Sequence, residues 1–375
     1  MNRNLLFIAL ALLFWGVGEG MFINFVPIYL ENEFLLDKQQ IGFVLGGFGF
    51  FMAITHMPSG HLSDRIGRRP LLFAAWLMGL SSTLIMGIVG SLPLYLVGVF
   101  GYALTAFVSS PLSSYVTAAR GTWSIGTALS LTSATFNIGM ALGPVTGGWI
   151  ADVYGMRTTY LVAAGMFLIS TLFVIFIKGQ PIDGHDPEAP PVRLWSNRRF
   201  ISFLLVLGFA VFAMYLSQPL TPNFLEGVRR LSLSDTGWIF SAGALGNAVL
   251  AILLSRGNAR NGFMLAQLLV VLFALCIWKG TGLPIFMLGY FLLGGFRASR
   301  PLAMAQAREL VHDSQMGLTY GTMETVNAVI FILTPPLAGY LFELDAMIVY
   351  PISIGLIVLS MLASFIFLPR KESHA

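Results

Sequence analysis

Long, unbroken apolar runs alternate with short polar breaks along the whole chain. The runs lie near residues 5–30, 40–60, 71–90, 93–117, 125–150, 157–177, 200–225, 236–255, 262–279, 284–306, 319–342 and 347–368. None of them alternates polar and apolar positions with a period of two. Only a helix satisfies its whole backbone within one lipid-exposed segment, so each run predicts a membrane-spanning helix rather than a barrel strand. Twelve spans of about 20 residues take about 240 residues, and the 375 present leave enough for ends and short loops but not for a separate aqueous domain. The expected fold class is an all-α membrane protein of twelve transmembrane helices. The first run is longer than the h-region of a signal peptide and continues through Pro27 without a small-residue cleavage site, so a cleaved leader is not expected.

The longest polar stretch, Lys178 to Arg199, carries Pro181, Pro187, Pro190 and Pro191 together with Asp183, Asp186 and Glu188. Prolines among charges read as an extended linker. The expected division is therefore a six-helix half over 1–178, a linker over 179–199 and a second six-helix half over 200–375. The halves look alike. An offset of 195 residues places Gly42 on Gly237, Arg65 on Arg260, Gly67 on Gly262 and Gly126-Thr127 on Gly321-Thr322, and smaller offsets match Pro93 to Pro284 and Pro144 to Pro336. A parallel six-plus-six duplication is a transporter architecture, with the substrate site near the midplane between the halves.

Composition agrees with burial in lipid: 56% of residues are hydrophobic and 10% charged, against about 25% charged in soluble domains. The formal charge of +4 implies no nucleic-acid partner, because the basic residues fall mostly in short loops, where they set orientation. With the N-terminus inside, fourteen of the 21 basic residues are cytoplasmic, while Lys38, Arg157, Arg229, Arg230 and Lys279 lie outside. Both termini are thus expected in the cytoplasm, in a cell membrane that is the inner membrane if the source is a bacterium. The one cysteine, Cys276, and the scattered histidines His56, His61, His185, His312 and His374 offer no disulfide framework and no metal-ligand spacing. No phosphate-binding loop and no H-E-x-x-H or G-x-S-x-G motif is present, which disfavours ATP-driven pumping and intramembrane enzymes. No enzymatic activity, cofactor or metal is expected, and a monomer is.

Between the second and third runs stands Gly60-His-Leu-Ser-Asp64-Arg65-Ile-Gly67-Arg68-Arg69. This resembles the cytoplasmic loop signature G-x-x-x-D-R-x-G-R-R of the major facilitator superfamily at every defined position. The fifth run adds Gly139-x-x-x-Gly143-Pro144-x-x-Gly147-Gly148, similar to a signature of that superfamily's proton-coupled exporters, above all its twelve-span drug:proton antiporters. The resemblance implies the major facilitator fold of two six-helix halves, and a gating loop at Gly60, Asp64, Arg65, Gly67, Arg68 and Arg69. In it Asp64 and Arg68 would fasten the two halves in the outward-facing state. Related proteins often place an acidic partner at the cytoplasmic end of the fourth span, where this chain has Thr117-Ala118-Ala119-Arg120. Read physically, Asp64 suits a helix N-terminus, and the basic residues alone would make a topological anchor. The glycines spaced by four in the fifth run form a small-residue face for close helix packing, kinked by Pro144.

Charges inside the membrane cost at least about 2.5 kcal/mol each on insertion scales and are usually paired or functional. They are Glu19, Arg297, Arg300 and Glu324. Glu19 falls near mid-depth of the first span, flanked by Gly16, Gly18 and Gly20, which leave room for a substrate or a close helix. A desolvated carboxyl holds its proton more tightly, so access can gate proton binding and release, and Glu19 and Glu324 are the proton-coupling candidates. The bland alternative is a carboxyl that is simply protonated or hydrogen-bonded. Arg297 and Arg300 share one face of the tenth span at i, i+3 spacing, and either neutralise the two glutamates or form an anion site. An Arg300–Glu324 pair is expected from their depths, with Asn327 one turn beyond. Asn24, Tyr215, Gln218, Arg297 and Arg300 are the substrate-cavity candidates. The resulting expectation is a secondary active transporter that exports small organic compounds or drugs by proton-coupled alternating access. The alternative is an organic-anion facilitator or exchanger using Arg297 and Arg300. Its partners are a small-molecule substrate, protons and the lipid bilayer.

Overall fold

The structure is a computed structural model that describes residues 3–179, 197–311 and 316–367, with the side chains of 56–65 and 316–318 outside the described set. Twelve helices fall where the apolar runs predict them: α1 (Arg3–Phe34), α2 (Lys38–Ile66), α3 (Arg68–Ile88), α4 (Leu92–Ala119), α5 (Ile125–Tyr154) and α6 (Met156–Ile175). The second set is α7 (Arg198–Tyr215), α8 (Leu233–Ser255), α9 (Ala259–Lys279), α10 (Leu283–Arg308), α11 (Met316–Leu344) and α12 (Val349–Phe367). Ten helices among the described residues are long and apolar enough to cross a membrane by composition alone. The other two are α2 and α10. In α10, Arg297 and Arg300 dilute the apolar character over the stretch that would otherwise qualify.

Proline decides where the helices break. Pro27 has no N–H to return to the preceding turn, and α1 tightens to a 3₁₀ turn over Ile23–Phe25 just before it. The matching region of α7 breaks further. Its regular part ends at Tyr215, residues 216–220 turn, and a short helix over Thr221–Asn223 runs into a π-turn at Phe224–Val228, around Pro219 and Pro222. The predicted run over 200–225 is therefore helical throughout only up to Tyr215. Two connections are one residue long, Gly67 between α2 and α3 and Gly155 between α5 and α6, each at φ = 85°. That conformation is open to glycine and strained for other residues.

Helix starts correct the register of the duplication. The spacing is 195 residues from α2 at Lys38 to α8 at Leu233, but 191 from α3 at Arg68 to α9 at Ala259. The stretch from the start of α2 to the start of α3 is longer than its counterpart. Arg69, rather than Arg65, stands where Arg260 stands in the second set, and the apparent match of Gly67 to Gly262 is a coincidence of composition.

The chain forms two compact units. The first comprises Met1–Leu36, Gly47–Asp186 and Pro222–Ser241, and the second Asp37–Gly46, Pro187–Thr221 and Ala242–Ala375. The opening turns of α2 thus belong with the second unit, and those of α8 with the first. The core of the first unit is aromatic: Trp76, Tyr95, Tyr160 and Phe167 are at most 1% exposed. Within it the Tyr95 and Tyr160 hydroxyls share a 2.6 Å hydrogen bond and Trp76 Nε1 donates to Ser170 Oγ at 2.7 Å. In the second unit Gln267 links Ser364 and Ser360 by hydrogen bonds of 3.1 and 2.6 Å across α9 and α12.

Candidate functional site

Glu19 lies half-buried in α1 of the first unit, and Trp15, one turn earlier, donates its indole N–H to Glu19 Oε2 at 3.0 Å. The donor is fixed by its surroundings. The Trp15 ring is 7% exposed, sits 4.9 Å from the Trp76 ring and 4.6 Å from the Phe167 ring, and stacks on Tyr102 at 6.1 Å. A Cβ at Gly79 of α3 would strike it. Four helices (α1, α3, α4 and α6) therefore hold one N–H against one carboxylate, with the Tyr102 phenol also at Glu19. A hydrogen bond to an ionised acceptor contributes about 1.5–3 kcal/mol.

The glycines that flank Glu19 serve close helices rather than a ligand. Gly16 and Gly20 face α5, where added Cβ atoms would meet Phe136 O, Met140 O, Gly143 and Pro144, and Gly18 faces Ala163 O and Phe167 of α6. From the other side, Cβ atoms at Gly139, Gly143 and Gly147 would strike the carbonyls of Leu13, Val17 and Met21. The small-residue stripe of α5 is thus packed backbone to backbone against α1, on the helix that carries Glu19. Gly148 and Pro144 turn to a different neighbour, the start of α8, where Gly148 meets Leu233 O and Gly237 meets Pro144 O.

That contact ends in a carboxylate. Asp152 at the end of α5 accepts from the backbone N–H of Leu233 at 3.1 Å and of Ser234 at 2.8 Å. Its counterpart occurs in the second unit, where Glu343 near the end of α11 accepts from Lys38 N at 2.6 Å while Gly339 underlies Lys38 and Gly42 underlies Pro335. An anion on the unsatisfied N–H groups of a helix start is favourable. Neither carboxylate was marked by hydropathy or by a motif. Only the 191-residue spacing between them, once the register is known, could have singled them out.

In the second unit the candidates from α7, α10 and α11 converge. Arg300 Nε donates to Glu324 Oε1 at 2.8 Å, the pairing expected from the sequence, with side chains 61% and 39% exposed. The Tyr215 ring stacks on Phe296 at 5.8 Å and meets Phe331 edge-on at 4.7 Å, with Arg297 beside its phenol. No carboxylate among the described residues pairs with the exposed Arg297. Asn327, one turn past Glu324, has a buried Oδ1 without a hydrogen bond among the described residues. Gln218 Nε2 donates to Met214 O at 2.7 Å at the end of α7. Asn24 lies half-buried in the 3₁₀ turn of α1.

Of the expected gating loop, Gly60, Asp64 and Arg65 lie on α2 but outside the described side chains, as does His56. Gly67 is the hinge to α3, Arg68 is half-buried, and exposed Arg69 donates to Ile175 O at the end of α6 at 3.4 Å. Among the described residues no three His, Cys, Asp or Glu side chains cluster as metal ligands.

Comparison with known proteins agrees with this geometry. The chain is 22% identical over 348 residues to Multidrug resistance protein 2 of Bacillus subtilis (strain 168), covering 88% of this chain and 86% of that one. It is 28% identical over 235 residues to the multi-drug resistance efflux pump PmrA of Streptococcus pneumoniae, covering 59% and 57%. Among solved structures it superposes on the nucleoside transporter NupG with a TM-score of 0.76 at 14% identity, over 99% and 100% of the two chains. The human organic anion transporter MFSD10 gives a TM-score of 0.70 at 18% identity, over 96% and 99%. At those identities the structures speak for the fold alone. Residues 8–262 and 203–375 each match the Major Facilitator Superfamily, and this chain is a multi-pass membrane transporter belonging to that family.

Proposed function

We propose that the chain is a proton-coupled exporter of small organic compounds, and that Glu19 is the carboxylate through which protons drive it. The carrying observation is the placement of Glu19: mid-span in α1, half-buried, and met by the Trp15 indole N–H that four helices fix in place. The names of the relatives at 22% and 28% identity support efflux as the direction. The driving force suffices, since one proton moving down 100 mV supplies about 2.3 kcal/mol and each pH unit about 1.36 kcal/mol.

In this reading both termini are cytoplasmic, 1–178 and 200–375 act as the two rocking halves joined by 179–199, and the protein works as a monomer. Asp152 and Glu343 fasten the outer starts of α8 and α2 in the state described here, and these caps must release when access alternates. The Gly60–Arg69 loop does the equivalent work on the cytoplasmic side. Substrate binds against Tyr215, Arg297 and Asn327. The test is dye or drug accumulation in proteoliposomes with an imposed pH gradient. Accumulation that follows the gradient and collapses with a protonophore supports the reading, and gradient-independent flux contradicts it.

A second reading, an organic-anion facilitator, is favoured by Arg297, which has a positive charge and no carboxylate partner among the described residues. It expects anionic rather than cationic substrates and loss of flux in Arg297→Gln.

A further inference from the structure

The duplication repeats one further feature, on the helix starts of α3 and α9. In the first unit, Arg69 heads a groove of about 370 Å³ lined by Pro70, Phe73 and Ile175, and its guanidinium donates to Ile175 O at 3.4 Å. In the second unit, a groove of about 380 Å³ is lined by Met264, Leu268, Val358 and Phe365. Arg260 stands at its end, donating to Phe365 O at 2.5 Å with the guanidinium 5.4 Å from the centre of the Phe365 ring. The two sets correspond residue by residue in the corrected register. Arg69 and Arg260 are each the second residue of their helix, with Phe73 and Met264 one turn further on. Ile175 and Phe365 lie at the ends of α6 and α12.

Each guanidinium carries five N–H donors, and one bond to a helix-end carbonyl leaves most of them available. Arg260 Nε is buried without a hydrogen bond, and no carboxylate among the described residues pairs with either arginine. A full positive charge thus stands twice at the mouth of an apolar trough on the outside of a membrane bundle. Six spans separate the two positions, so both lie at the same membrane face, the one rich in basic residues. The apolar trough matches an acyl chain and the arginine fork matches phosphate oxygens. We infer that Arg69 with Phe73 and Ile175, and Arg260 with Met264 and Phe365, form two equivalent sites for an anionic phospholipid of the cytoplasmic leaflet. The tail lies in the groove and the phosphate on the guanidinium. The inference is independent of what the chain transports.

Native mass spectrometry of the full chain released from nanodiscs of phosphatidylglycerol and phosphatidylcholine tests it. Two phosphatidylglycerol molecules are expected to remain bound to the wild type, one to Arg69→Gln or Arg260→Gln, and none above background to the double variant. Each lost arginine should weaken phosphatidylglycerol binding roughly fivefold. If the glutamine variants do not fold, Phe73→Trp and Met264→Trp fill the grooves while keeping both charges, and they should displace one lipid each. Unchanged lipid number in the double arginine or double tryptophan variant overturns the proposal. So does equal retention of phosphatidylcholine, which would mean that the grooves hold tails without reading charge.

Discussion

The two units hold their intramembrane carboxylates in opposite ways. In the first, Glu19 is half-buried and receives a neutral indole donor from a ring wedged among Gly79, Trp76 and Phe167. In the second, Glu324 is 39% exposed and sits on the Arg300 guanidinium. The Arg300 guanidinium gives Glu324 a full opposite charge, whereas the Trp15 indole gives Glu19 a neutral donor. The duplicated halves thus differ in how these carboxylates are held. The first unit is rigid around its carboxylate, and the second presents open charge and a free acceptor on Asn327.

The rigid side is where substitutions should cost most. Gly143→Leu drives a side chain into Val17 O and Gly20, backbone that cannot step aside, and should lower stability by about 3 kcal/mol or more. Gly165→Leu, where nothing lies within 4 Å, is the control and should be nearly neutral. Thermal unfolding in detergent with both variants decides this, and equal melting temperatures would remove the α1–α5 seam as a structural element. Trp15→Phe keeps an aromatic ring against Trp76 but removes the N–H. It should cost about 1.5–3 kcal/mol while Glu19 is ionised and less at low pH, where the acceptor is protonated. A pH series of melting temperatures reads this difference.

Smaller effects mark the helix caps and the open side. Asp152→Ala removes the acceptor for Leu233 N and Ser234 N and should cost about 1 kcal/mol, while shifting cysteine-labelling of the α8 start toward the exposed state. Smallest of all, a double-mutant cycle of Arg300→Gln with Glu324→Gln should give a coupling below about 1 kcal/mol if water reaches the pair. A single-mutant loss of about 3–5 kcal/mol would show instead that the pair is dry, and the contrast between the units would disappear.

What could be read from the chain alone divides along the same line. Hydropathy averaged over about 20 residues is a one-dimensional quantity, so all twelve helices were legible. The Arg300–Glu324 pair was legible too, because both depths could be counted from helix ends. The facing of a residue on an apolar-all-round helix was not. Gly16, Gly18 and Gly20 gave no hint that they serve α5 and α6, although Trp15 stands at i−4 from Glu19 and its N–H was in plain sight. The break of α7 at Tyr215 was hidden inside an apolar run. The register slip that carried Arg65 onto Arg260 came from matching letters across a loop of unequal length.

The central claim is that Glu19 carries the proton. It is tested most directly by pH-gradient-driven accumulation in proteoliposomes of Glu19→Gln, with substrate binding measured on the same preparation. Glutamine keeps the size and can still accept the Trp15 N–H but cannot ionise. The account predicts a folded protein that binds substrate and has lost gradient-driven accumulation. A stable Glu19→Gln protein that accumulates substrate as the wild type does would contradict it.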